Sequence, residues 1–191
     1  MMIADPLIHR WTMDEYYRKA DMGMFDDCHV ELIEGVVIEM SPMNSAHRTS
    51  VVLSSEALRR GFLQGYFVCT QCPIRLLDAS EPEPDVAVIP GAARDYANAH
   101  PATAVRIVEV AETSLERDRT IKAGLYASVG IADYWIVNLV DKQLEVHRRP
   151  VADGSHPSGH RYDEVTTLKP GDTVSPLAAP QATITVAELL P

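Results

Sequence analysis

Apolar residues along this chain fall into short runs broken by glycine, proline and acidic residues, and the densest arrangement is residues 105–138, VRIVEVAETSLERDRTIKAGLYASVGIADYWIVN. Its first run sets one carboxylate, Glu109, among β-branched and small apolar residues. A polar break follows, then Ile121, Leu125 and Val129 at helical spacing, then a second apolar run over 134–140. The pattern predicts a strand, a helix of about four turns and another strand. So phased, the helix turns Asp118 and Lys122 to its exposed face. A carboxylate inside a buried strand is costly unless something binds it. Glu109 therefore calls for a partner, and a metal ion is the expected one.

The remaining elements follow from turn and cap signals. Thr12 and Glu15 have the spacing of a capping box and start a short helix. VELIEGVVIEM reads as two strands turned at Glu34-Gly35, with Glu31 near the start. A helix is predicted over 46–63, capped by Ser45, with Val51, Val52, Ala57 and Leu58 inward and His47 in its first turn. YFVCTQ and PIRLL read as two short β-like pieces, and Asp85 precedes a compact strand, Val86 to Ile89, ended by Pro90. GAARDYANAHPA is a long surface connection. After a turn at Asp141-Lys142, QLEVHRR is a strand, PVADGSHPSGHRYD a mobile loop or β-turn region and RYDEVTTL a last strand; TITVAELLP leads from a strand into one helical turn.

Composition narrows the class. The 191 residues, 46% of them hydrophobic, suit one domain over 1–191 with a single core, and no apolar run is long enough to span a bilayer. The N-terminus, MMIADPLIHRWTMDEY, lacks the basic start and apolar segment of a secretory signal, and three cysteines, an odd count, fit a reducing compartment. Both point to the cytoplasm. A net charge of −10 opposes non-specific coating of nucleic acid. It leaves room for a metal-dependent nuclease, which concentrates acidic residues at its site.

Asp85 and Glu109, each isolated on a buried strand, could hold Mg2+ or Mn2+ if their strands are neighbours, with the backbone carbonyl of Val110 as a further oxygen ligand. Such an ion polarises a phosphate and acidifies a water, and a nearby ammonium stabilises the developing charge. Lys122, one helical turn after Asp118, is the candidate, against the simpler reading of a surface ion pair between the two.

The ordered series ELIEG, MSP with His47 downstream, PDVAV, VRIVEVAETS, the Asp118-to-Lys122 helix and GIADYWIVN resembles the Uma-two family of restriction-endonuclease-like proteins, from about residue 12 to 168. That resemblance implies an α/β fold with the restriction-endonuclease-like core of the PD-(D/E)xK superfamily. Such a core is a central mixed β-sheet flanked by helices, here with extra antiparallel hairpins. It further implies a divalent metal at the open end of the sheet. Asp85 matches the aspartate of the PD motif, Glu109 the acidic residue of the next strand, and Glu31 the upstream glutamate. The superfamily lysine two residues after Glu109 is replaced by Ala111, and Lys122 resembles this family's relocated lysine. Glu34 stands where relatives commonly carry aspartate. His47 matches a recurrent position, with phosphate contact or proton transfer as its role.

Two readings compete. The first is a DNA endonuclease using Asp85, Glu109, Glu31, Lys122 and His47, expected as a homodimer because a duplex has two strands to cut. RNA is a further possible substrate of the same ligands. The second is a catalytically silent binding or assembly module on the nuclease fold. Three features are set aside. Cys69 and Cys72 lack partners for a zinc site, and in a strand their sulfurs would point to opposite faces. His156 and His160 read as exposed loop residues, and Tyr134-Trp135 as core rather than a base-stacking pair.

Overall fold

A computed structural model describes residues 8–191, so the reading of the first seven residues lies outside the described part. The chain divides into two compact units, one built from residues 1–42 and 75–82, the other from 43–74 and 83–191.

In the smaller unit the capping box forms as predicted. The amide of Thr12 donates to Glu15 Oε2 at 2.9 Å, that of Glu15 to Thr12 Oγ1 at 3.3 Å, and α1 runs Met13–Asp21. The hairpin of β1 (Val30–Ile33) and β2 (Val36–Glu39) turns at Glu34 and Gly35, both with positive φ, 50° and 75°. That pair of signs gives a two-residue turn whose twist matches the strands. The piece PIRLL forms no strand. Pro73 has no amide to offer, and residues 75–82 bond back to the hairpin instead: Glu81 N–H donates to Leu32 at 2.7 Å and Glu34 N–H to Ser80 Oγ at 2.9 Å.

The larger unit is a six-stranded mixed sheet in the order β3 (Tyr66–Thr70), β4 (Val86–Pro90), β5 (Arg106–Ala111), β6 (Asp133–Asn138), β7 (Gln143–Ala152), β8 (His160–Leu168). All neighbours are antiparallel except β5 and β6, which the predicted helix connects. Strand alternation divides the side chains. Val86, Val88, Val108, Val110, Trp135, Val137, Leu144 and Val146 pack on one side in the main core with α2 (Ser45–Gly61) and the C-terminal residues Val186 and Leu189. Ile107, Glu109, Tyr134, Ile136 and Glu145 belong to the opposite face. Two short strands, β9 (Thr173–Val174) and β10 (Ile184–Thr185), precede the final helical turn.

Several expectations are corrected. The cap of α2 is Asn44, whose Oδ1 accepts the His47 amide at 2.9 Å, and the helix stops at Gly61, leaving Leu63 exposed. Val52 lies outward, because helical spacing from Val51 and Leu58 carries it off the buried stripe. Strand β7 continues through 150–152, and β8 begins at His160. The loop thus shrinks to a turn in which Asp153 accepts from the amide and hydroxyl of Ser155 and from Arg161. His156 is half-buried there and bonded to Ser158. Cys69 and Cys72 do not point apart: Gln71, at φ 52°, turns the chain and the two are paired as a disulfide. Tyr134 and Trp135 are fully buried, as core residues. Among the described residues no helix is long and apolar enough to cross a membrane.

A second polar group went unread in the sequence. Glu145, buried on β7, accepts from Arg119, Asn138 and Gln143; His147 lies alongside, Asp141 bonds to Asn138, and Lys169 bonds to Gln143. Burial pushes its carboxyl up, but the neighbouring His147 and the hydrogen bonds from Arg119, Asn138 and Gln143 outweigh this and hold it well below the usual range. A depressed carboxylate contributes stability in full above its unfolded pKa, near 4.5, and that contribution drains away as pH falls. Glu145→Gln is therefore expected to lower stability by about 1–3 kcal/mol at neutral pH. The gap to wild type, read from urea unfolding at several pH values, narrows below about pH 4.5. A gap independent of pH would contradict this assignment.

Candidate active site

The ladder between β4 and β5 ends at the pair Val86 and Val108. One step further, where Asp85 would face Glu109, side chains replace backbone pairing. The Val110 amide donates to Asp85 Oδ2 at 2.8 Å, and the Asp85 amide lies 3.4 Å from Glu109 Oε2. Strand alternation puts the two carboxylates on one face, and both are buried. The Val110 amide faces Asp85, and in an extended strand the carbonyl of the same residue faces the same side. The Ala111 carbonyl, one residue on, is turned to the other side, accepting from Leu139 N–H at 2.9 Å.

The connecting helix supplies the cation. It runs from Leu115 through a π-turn at Asp118–Lys122 into Ala123–Ser128. In the π-turn the Ala123 amide reaches the carbonyl of Asp118, which also accepts the Tyr134 hydroxyl at 3.0 Å. The extra residue shifts the helical phase, so Ile121 is 45% exposed while Asp118 and Lys122 are each 2% exposed. The expected exposed face is thus the buried one. Lys122 Nζ donates to Glu109 Oε1 at 3.0 Å, and the Tyr126 hydroxyl donates to the same oxygen at 2.7 Å. The competing reading of a surface pair with Asp118 gives way to a buried pair with Glu109.

His47 approaches from the first turn of α2, its Nε2 3.1 Å from Asp85 Oδ1. The hydrogen bond to Asp85 raises the imidazole pKa against the opposing effect of burial, with Asp118 and Glu112 adding negative potential. The Asp118 carboxyl accepts the Ser114 hydroxyl at 2.6 Å and is pushed up by burial, although Lys122 and Ser114 pull it down. Three buried carboxylates, Asp85, Glu109 and Asp118, thus interact with one buried ammonium and one half-buried imidazole.

The structure brings together Asp85, Glu109, Val110, Lys122 and His47. Glu31 is buried in β1 of the smaller unit. Among the described residues no set of three or more His, Cys, Asp or Glu side chains is arranged to hold a metal ion. The oxygens of Asp85 and Glu109 instead receive the protein's own donors. Their chemistry remains that of hard anionic oxygen ligands, which suits Mg2+ or Mn2+. Tyr126 was missed, though the signal was there: Asp118, Lys122 and Tyr126 follow one another at four-residue spacing on one helix face.

Comparison with known proteins bears on the family and the fold. A family model, Uma2, described as "Putative restriction endonuclease", matches residues 13–187. A solved structure described as a "putative nuclease belonging to DUF820 from Anabaena variabilis ATCC 29413" aligns with a TM-score of 0.68 at 14% identity, covering 93% of this chain and 96% of that one. At that identity the likeness is one of fold. No curated protein matches the chain.

Proposed function

The chain belongs to the Uma2 family, and from that premise we propose that it is a metal-dependent endonuclease hydrolysing DNA phosphodiester bonds. The observation that carries the reading is the buried Lys122 ammonium, 3.0 Å from Glu109 Oε1, although Ala111 occupies the usual lysine position two residues after Glu109. A helix thereby supplies the charge that the strand lacks.

In this reading Asp85, Glu109 and the carbonyl of Val110 would hold Mg2+ or Mn2+. When bound, the ion supplies Lewis acidity toward the scissile phosphate and a more acidic water. Lys122 stabilises negative charge developing on the phosphate, and Tyr126 keeps Glu109 oriented. His47, whose Nε2 lies beside Asp85, would contact a phosphate oxygen or assist proton transfer. Glu31 is proposed as a further acidic ligand or water-orienting group on the strength of its family position. Cutting both strands of a duplex calls for two such sites, hence a homodimer.

The test is supercoiled plasmid with Mg2+ or Mn2+, beside Asp85→Asn and Glu109→Ala. Wild type is expected to give nicked and linear products, and each variant to lose about 10²–10³-fold in rate. Equal rates in all three would remove the catalytic assignment, and an RNA substrate run in parallel separates the two nucleic acids. The alternative, a catalytically silent binding or assembly module, is favoured by the net charge of −10. A folded wild type that cleaves nothing with either metal would leave that reading standing.

A further inference from the structure

Glu109 on β5, Ile136 on β6 and Glu145 on β7 stand in one row across the sheet, since Glu109 pairs with Ile136 and Ile136 with Glu145. Directly paired residues share a face, so the two carboxylates point to the same side, about 10 Å apart at two strand spacings. The helix carrying the π-turn lies over that face and is fastened to both ends of the row. Lys122 reaches Glu109. Three residues earlier, Arg119 grips Glu145 through two bonds, Nε to Oε2 at 2.9 Å and Nη2 to Oε1 at 2.6 Å. Asn138 and Gln143 hold the same carboxylate from below, at 2.8 and 3.2 Å to Oε1.

We propose that Arg119 and Glu145 are a positioning pair that fixes the π-turn and so delivers the Lys122 ammonium to Glu109. The proposal rests on the nuclease reading for its catalytic consequence, while its structural half stands alone. A lysine side chain is flexible and carries a point charge, so by itself it does not select a helix rotation. A guanidinium bound through two parallel bonds does, because the fork is planar and directional. Rotation about the helix axis is thereby set at residue 119, inside the same π-turn that contains Lys122. Without the pin, an ordinary α-helical turn satisfies the same backbone, and Lys122 can leave the buried site for water.

Arg119→Ala and Glu145→Gln are compared with wild type by acylation of lysine amines and mass spectrometry, with exposed Lys142 as internal reference. Plasmid cleavage is followed alongside. Lys122, 2% exposed, is expected to be protected in wild type. It should label at least about tenfold faster in both variants, while kcat falls about a hundredfold and KM changes little. General destabilisation would not confine the change to Lys122 and kcat. Should Arg119→Ala lose its cooperative melting, the near-isosteric Glu145→Gln decides. Lys122 still protected in a folded variant overturns the proposal, as does an unchanged kcat with Lys122 exposed. If wild type cleaves no nucleic acid, the nuclease reading fails separately, and labelling of Lys122 alone judges the positioning pair.

Discussion

Lys122→Met is expected to slow phosphodiester cleavage by about 10²–10³-fold, with Mn2+ binding retained. The substitution keeps an unbranched side chain one atom shorter and removes the ammonium, with both its charge and its hydrogen-bond donors. Glu109 then loses a buried counter-ion at 3.0 Å and keeps the Tyr126 hydroxyl at 2.7 Å. Removing one partner of a buried pair costs about 3–5 kcal/mol, and the remaining donor places this case toward the lower end. A divalent ion returns positive charge to the same carboxylate. The rise in melting temperature on adding Mn2+ should therefore be larger in the variant than in wild type. Cleavage at the wild-type rate would show that the ammonium takes no part in the reaction. An equal or smaller Mn2+ shift would show that the ion binds elsewhere.

Asp133→Ala is expected to give the largest loss of stability, about 3–5 kcal/mol. Asp133 is fully buried and accepts from Arg106, from Arg148 Nε at 3.0 Å, from Trp135 Nε1 at 3.0 Å and from the Leu177 amide at 2.8 Å. Arg106 is also fully buried, its guanidinium 3.4 Å from the centre of the Trp135 ring. Burial pushes the Arg106 pKa down to about 9, while Asp133 draws it back toward its usual value. Without Asp133 that cation keeps the aromatic face but no buried anion. The double variant Asp133→Ala with Arg106→Met removes the stranded charge and should recover more than half of the loss. Urea unfolding of the two single variants and the double variant measures this. A double variant no more stable than Asp133→Ala would assign the loss to the Leu177 and Arg148 bonds, and with it the attachment of the C-terminal segment.

The legible part of the fold is local. Thr12 and Glu15 satisfy each other's amides across three residues, Glu34-Gly35 supplies the positive φ angles of its own turn, and the alternation in RIVEVA assigns its faces without reference to any other strand. The two strand carboxylates were legible for the same reason, since each stands out against its immediate neighbours. Errors arose where a distant partner decided the outcome. Ser45 gave way to Asn44 at the start of α2, where the Asn44 side chain also donates to Glu112 at 2.5 Å. Strand β7 outran its predicted end because β8 was there to pair with it through Ala152. Most plainly, periodicity assigned Asp118 and Lys122 to solvent, and the structure buries both.

The sequence by itself determined where most of the strands lie, where the hairpin turns, and which carboxylates are out of place in apolar surroundings. Those properties depend on hydrogen bonds and side-chain directions within a few residues. Tertiary structure alone decided that Asp85 and Glu109 share a face and that Lys122 enters the protein. A buried ion is stable only when an opposite charge is held in contact, and here that contact spans 13 residues for Lys122 with Glu109 and 26 for Arg119 with Glu145.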